Sequence, residues 1–121
     1  MKYIENNAFG QCRALQSVTM SDSVLKLGES AFESCNRLES IVFSKQLNEI
    51  GDYAFYNCVE LNNVTIPSSL IFIGKSVFGD IYYKNINFDG TKSEWDEIEK
   101  DSWDDNSTRY TVTCTDGVIT K

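Results

Sequence analysis

Four cysteines are the residues of this chain best suited to chemistry, and three of them, Cys12, Cys35 and Cys58, recur every 23 residues. Thiolates hold zinc or form disulfides. Zinc is disfavoured, because the sequence has no histidine and no C-x-x-C pair. On stacked strands about 4.8 Å apart neighbouring thiols could bond, yet three equivalent thiols cannot pair evenly. They read instead as small apolar side chains pointing inward. Cys114 lies off the period and its state stays open. The acidic run Asp96, Glu97, Glu99, Asp101, Asp104 and Asp105 lacks the alternating D-x-D-x-D-G order of a calcium loop, so it reads as a solvated face. No serine, threonine or cysteine has a histidine to activate it. No carboxylate pair is flanked by the aromatic cluster of a glycosidase cleft. Asn63-Val64-Thr65 and Asn106-Ser107-Thr108 match the glycosylation triplet by pattern only. No metal, no cofactor and no enzymatic activity are expected.

The cysteine spacing belongs to a repeat that organises most of the chain. At the same interval run Leu15, Leu38 and Leu61; Val18, Ile41 and Val64; and Met20, Phe43 and Ile66. The second half of each unit repeats through Val24, Leu47 and Leu70, then Leu27, Ile50 and Ile73, then Gly28, Gly51 and Gly74. Ala31, Ala54 and Val77 follow, beside the aromatic column Phe9, Phe32, Phe55 and Phe78. The first half alternates apolar and polar residues, which predicts a short strand with one face buried. The second half is too short for a long helix. It predicts a tight bend at each glycine and a short helical or 3₁₀ turn that carries Ala and Phe inward. One such coil cannot close a core, whereas stacked coils merge their columns into a continuous interior.

The unit C-x-x-L-x-x-[VI]-x-[MFI], then [VL]-x-x-[LI]-G-x-x-[AV]-F, resembles the BspA-like subfamily of leucine-rich repeats of bacterial and some protist surface proteins. The third unit resembles it most, through Cys58, Leu61, Val64, Ile66, Pro67, Ser68-Ser69-Leu70, Ile73 and Gly74, with Val77 in place of the usual alanine. The resemblance spans about Ile4 to Phe78. It implies an α/β solenoid of leucine-rich repeat type, right-handed, with parallel stacked short strands and short helical or 3₁₀ turns. It further implies an extracellular or cell-surface parent protein and adhesion to host or cell-surface proteins or glycoproteins. The first residues already fit the repeat, so the chain reads as cut from a longer polypeptide.

After Phe78 the register fails, since Ile81 stands where a fourth cysteine would fall. A shift of one residue restores a strand through Asn85-Ile86-Asn87-Phe88. Asp89-Gly90 then turns the chain, and Thr91 or Ser93 can cap a short helix in which Trp95 and Ile98 share a face. The tail has two β-prone runs joined by Asp116-Gly117, a hairpin signal. Residues 1–88 are therefore expected to form about three and a half repeats, and 89–121 a C-terminal cap of helix and hairpin that covers the open strand edge. Ile71-Phe72 replaces the more polar pairs Leu25-Lys26 and Asn48-Glu49 of the earlier units. The cap, through Trp95 or Trp103, is expected to cover it, the alternative being an exposed sticky patch.

The residues between the buried columns of each strand should share the opposite, concave face. They are Ser17, Thr19 and Ser21; Ser40, Val42 and Ser44; Asn63, Thr65 and Pro67; then Asn85, Asn87 and Asp89. This face is the candidate partner-binding surface, small, polar and nearly uncharged, without the Trp, Tyr and Arg of a binding hot spot. The net charge of −7 repels nucleic acid and anionic lipid. No apolar run approaches the roughly 20 residues of a membrane helix. The leading reading is thus a protein-interaction or adhesion module. The alternatives are a structural spacer, or a carbohydrate-binding module with Trp95, Trp103, Tyr82 or Tyr83 as a stacking platform.

Overall fold

A computed structural model describes residues 2–61, 63–79, 83–100, 102–103 and 109–120. The strands foreseen from the alternating halves are β2 (Ser17–Thr19), β4 (Ser40–Val42) and β6 (Asn63–Ile66). Two longer ones follow, β8 (Tyr83–Phe88) and β10 (Arg109–Cys114). All pair in parallel, β2 with β4 and β8 with both β6 and β10. The register follows the sequence: Val18 lies opposite Ile41 at the full period, while Val64 lies opposite Ile86, one residue short of it. The missing residue is absorbed between β6 and β8, and the apolar column continues unbroken.

A second ladder was not foreseen. β1 (Tyr3–Ile4), β3 (Lys26–Leu27), β5 (Glu49–Ile50), β7 (Phe72–Ile73) and β9 (Glu99–Lys100) are two residues each and stack in that order, all parallel. Two-residue strands leave almost no trace in a sequence, because period-two alternation needs more residues to register. The first four each bury one member, Ile4, Leu27, Ile50 or Ile73, and turn the other outward, while β9 has Glu99 exposed and Lys100 half-buried.

The remaining side of each coil is neither helix nor a 3₁₀ run. Amide N–H groups there alternate in their use. Those of Asn7, Phe9 and Gln11 donate to the carbonyls of Glu29, Ala31 and Glu33 one coil on, at 2.7–2.9 Å, while Ala8 and Gly10 donate to carbonyls three residues back. The next coil repeats the pattern from Ser30, Phe32 and Ser34. Left-handed residues recur in register, Asn7, Ser30, Tyr53 and Ser76 in one column and Gln11, Ser34 and Asn57 in another, with φ between 47° and 62°. A left-handed residue every fourth position breaks a helix before it completes a turn. It also swings alternate amides out toward the neighbouring coil.

The repeat glycines serve a purpose other than the expected bend. None of Gly28, Gly51 or Gly74 has a positive φ. What they provide is close approach: a Cβ on Gly51 would lie 2.8 Å from the Glu29 amide nitrogen and 2.9 Å from the Leu27 carbonyl oxygen. At Gly74 it would lie 2.6 Å from the Asp52 nitrogen. Backbone of the preceding coil occupies the space a side chain would need. Gly51→Ala should therefore force two coils apart and lower stability by about 1–3 kcal/mol, read from the denaturant midpoint. An unchanged midpoint would show that the stack has slack there.

The core is one continuous column of repeated residues. Phe9, Phe32, Phe55 and Phe78 stack nearly face to face, with ring centroids 5.2, 5.3 and 5.8 Å apart. Leu38, Leu61, Leu47 and Ile66 are fully enclosed beside them. Phe9, in the first coil, has a neighbour on one side only and remains 39% exposed.

The C-terminal segment continues both ladders. β9 extends one and β10 the other, and β11 (Gly117–Thr120) closes an antiparallel hairpin onto β10. Helix α1 (Lys92–Glu97) starts at Thr91, not Ser93: Glu94 N–H donates to Thr91 Oγ1 and Thr91 N–H to Glu94 Oε1, a closed capping box. Asp116 at the hairpin tip accepts the Lys92 amide at 2.9 Å, tying hairpin to helix. The hairpin loop is Thr115-Asp116, so Gly117, at φ 148°, opens β11 rather than sitting inside the turn. Trp95 packs on Phe88 at 5.3 Å and on Trp103 at 5.6 Å, and Trp103 also meets Phe78 and Tyr110. The tryptophans thus seal the end of the aromatic column. They do not cover Ile71, which stays 60% exposed, while Phe72 is half-buried against β9. The expectation that the cap hides this pair is corrected: β9 reaches the backbone beside Ile71, where Glu99 N–H donates to the Ile71 carbonyl, but brings no apolar side chain over it.

Candidate interaction face

The parallel ladder of longer strands places the candidate residues in two aligned rows. Ser17 lies opposite Ser40, Asn63 opposite Asn85, and Asn85 opposite Thr111. The second row pairs Thr19 with Val42, Thr65 with Asn87, and Asn87 with Thr113. Ser17, Thr19, Ser40, Val42, Thr65, Asn85 and Asn87 are all exposed, while of Asn63 the backbone in β6 is what the structure describes. Inward residues between them, Ile41, Val64, Ile86 and Val112, are buried, so strand alternation fixes the rows.

Beyond the rows the expectation needs correcting at one position. Ser44 is buried, its Oγ accepting the Gln46 amide at 3.1 Å, because the chain has left the strand and turns there. Ser21 and Asp89 are exposed and Pro67 is half-buried. Thr111 and Thr113 were missed. Their Thr-x-Thr alternation around Val112 was visible, but the assignment of this segment to a hairpin alone hid its pairing with β8.

Among the described residues the two rows carry no carboxylate, thiol or imidazole. The described side chains of the face are mostly hydroxyl and amide, with Val42 as an apolar member and Arg109 exposed at the start of β10, and can donate and accept hydrogen bonds to a polar surface. The sulfur chemistry lies elsewhere. Cys35 and Cys58 are buried, and each Sγ donates to the phenylalanine carbonyl of the coil before, to Phe9 at 3.1 Å and to Phe32 at 3.0 Å. Burial pushes the Cys35 thiol up, and the Cys12 amide hydrogen bond only partly offsets this, so the group stays a protonated donor. The repeated cysteine is therefore more than a small apolar filler: it satisfies a carbonyl between coils. Cys114 is free and buried, its thiol pushed up by burial and by Asp116.

Trp95 and Trp103 are buried at 3% and 7% exposure and offer no stacking platform. Tyr82 and the side chain of Tyr83 lie outside the described residues, as do Asp101, Asp104, Asp105 and the triplet 106–108. Asp96, Glu97 and Glu99 are exposed, and among the described residues no group of carboxylates or thiols is arranged to hold a metal ion. Burial lowers the Lys100 ammonium pKa, with Asp96 opposing; its Nζ donates to the Trp95 and Ile98 carbonyls at the end of α1.

Residues 1–110 match the family described as BspA type leucine rich repeat region, in six copies. The chain belongs to this family. Three solved structures of the repeat class are similar to it. A leucine rich cell surface protein from Faecalibacterium prausnitzii is 28% identical with a TM-score of 0.70, over 84% of this chain and 33% of that one. The Treponema pallidum leucine rich repeat protein (T. pallidum TpLRR) is 34% identical with a TM-score of 0.64, over 69% and 40%. A leucine-rich repeat protein from Bacteroides ovatus is 26% identical with a TM-score of 0.65, over 91% and 28%. The BspA-type chain thus spans roughly a third of the length of these relatives. No curated protein matches it. Repeat proteins of this kind are in general protein-interaction scaffolds, and no described helix is long and apolar enough to cross a membrane.

Proposed function

We propose that the chain is a non-enzymatic protein-interaction module of a bacterial surface or secreted protein, using the strand face for adhesion to host or cell-surface proteins or glycoproteins. The observation that carries this reading is the pair of outward rows, in register within β2–β4 and within β6–β8–β10, in which Ser17, Thr19, Ser40, Thr65, Asn85, Asn87 and Thr113 stand exposed beside the apolar Val42. Residues 1–88 supply most of this face, and 89–121 close the stack. Arg109, exposed at the start of β10 in the same alternation as Thr111 and Thr113, is the one arginine among the described residues of this face. A face otherwise of small polar side chains binds weakly on its own, so affinity would come from many rungs acting together.

The test is binding of the immobilised chain to a panel of matrix glycoproteins and glycans, beside a Thr65→Arg/Asn87→Arg variant. Both side chains are exposed, so the variant should fold as the parent does. Saturable binding by the parent, lost in the variant, is the expected result. Silence across the panel would favour the second reading, a spacer that holds other domains apart, which the small polar side chains of most of the face support.

A further inference from the structure

The coil side opposite in character to the strand face is the ladder of two-residue strands, and its outward surface forms a groove. Along it the outward members change chemistry from rung to rung: exposed Lys26, then half-buried Glu49 and Phe72, then exposed Glu99, in direct register. Glu29 and Asp52 line the same groove, and Ile71 stands at its edge. The groove is thus acidic with an apolar sill. Ile71 is the most exposed of the large apolar side chains described, and an aliphatic side chain in that position gains nothing from water. The cap was its obvious cover and leaves it bare.

The charges are unbalanced as well. Lys26 is the cation of the groove and is taken by Glu49, 3.4 Å away. Asp52 spends one oxygen on the Lys75 amide at 2.8 Å. Glu29 and Glu99 are exposed and have no cation within ion-pair distance among the described residues. From this complementarity we propose that the groove docks an extended cationic, apolar peptide segment of another protein, its basic side chains on Glu29 and Glu99 and an aliphatic or aromatic side chain on Ile71 and Phe72. Parallel rungs about 4.8 Å apart present these contacts as a row, which suits an extended chain lying along the solenoid axis. Lysine and arginine stems also cover apolar surface while their charges reach the carboxylates. This surface shares no residue with the strand face, so it stands or falls independently of adhesion through that face.

The probe is a fluorescent nine-residue peptide alternating lysine and leucine, titrated with the whole chain at low and at high salt. A net charge of −7 attracts any cationic peptide, so the controls decide. The variants are Ile71→Ser/Glu99→Lys in the groove and Glu60→Lys on an exposed loop outside it. The expected result is roughly tenfold weaker binding for the groove variant, with little change for Glu60→Lys. An Ile71→Ser single variant should also weaken binding, including at high salt, because its contribution is apolar. Equal losses in the groove and loop variants would mean unspecific charge attraction and overturn the proposal. So would no measurable binding by the parent, or indifference to Ile71→Ser.

Discussion

Phe55→Ala is expected to cost about 3–5 kcal/mol. The ring is fully enclosed between Phe32, tilted from it by only 4°, and Phe78, with Phe43 edge-on at 5.7 Å. Removing it opens a void that the neighbouring coils cannot collapse into, because their backbones are already held apart by the amide ladder on that side. Measured against the about 5–15 kcal/mol that holds a domain together, this is a substantial share. Thermal or urea unfolding should show an early transition. In a solenoid each coil touches only its neighbours, so the variant should also make unfolding less cooperative, the two halves separating at the weakened joint. A variant that melts with the parent would mean the rings do not carry the stack.

Trp103→Ala should cost a similar amount, about 3–5 kcal/mol, by a different route. Trp103 is the side chain through which the end of the aromatic column meets the C-terminal segment: it touches Phe78, Trp95 and Tyr110. Its loss exposes Phe78 and Trp95 together. The expected signature is twofold, a lowered melting midpoint and a remaining tryptophan emission that becomes quenchable by iodide. In the parent both indoles are buried, so quenching there should be weak. Strong quenching of the parent would contradict the sealed end and reopen a stacking role for these rings.

Much of this fold could be read from the chain because a repeat multiplies its evidence. One Phe every 23 residues says little, but Phe9, Phe32, Phe55 and Phe78 beside the Leu and Cys columns say that equivalent residues stack. The strand face was legible for the same reason: Ser17, Ser40, Thr19 and Thr65 follow from alternation around Val18, Ile41 and Val64. The second ladder was not legible, since Lys26–Leu27 or Glu49–Ile50 is too short to show a period and is a strand only because the next coil pairs with it. The glycines misled for a related reason. Gly51 reads as a bend, yet what excludes a side chain there is the backbone around Glu29, a neighbour the sequence places 22 residues away.

The fate of the Ile71-Phe72 pair shows where composition stops informing. Two apolar residues in a polar column announce an exception, and whether a cap covers them depends on where β9 runs. It runs beside them with Glu99 outward, so Ile71 remains open. The sequence by itself thus determined the stack: the period, the inward columns, the one-residue slip before Ile86 and the outward polar rows, all properties that each coil encodes locally. Only the tertiary structure decided how the coils touch, namely the alternating amide bonds, the thiols that satisfy phenylalanine carbonyls, and the side chains the C-terminal segment leaves bare. Those depend on distances between residues a full coil apart, and no local pattern of residue types carries a distance.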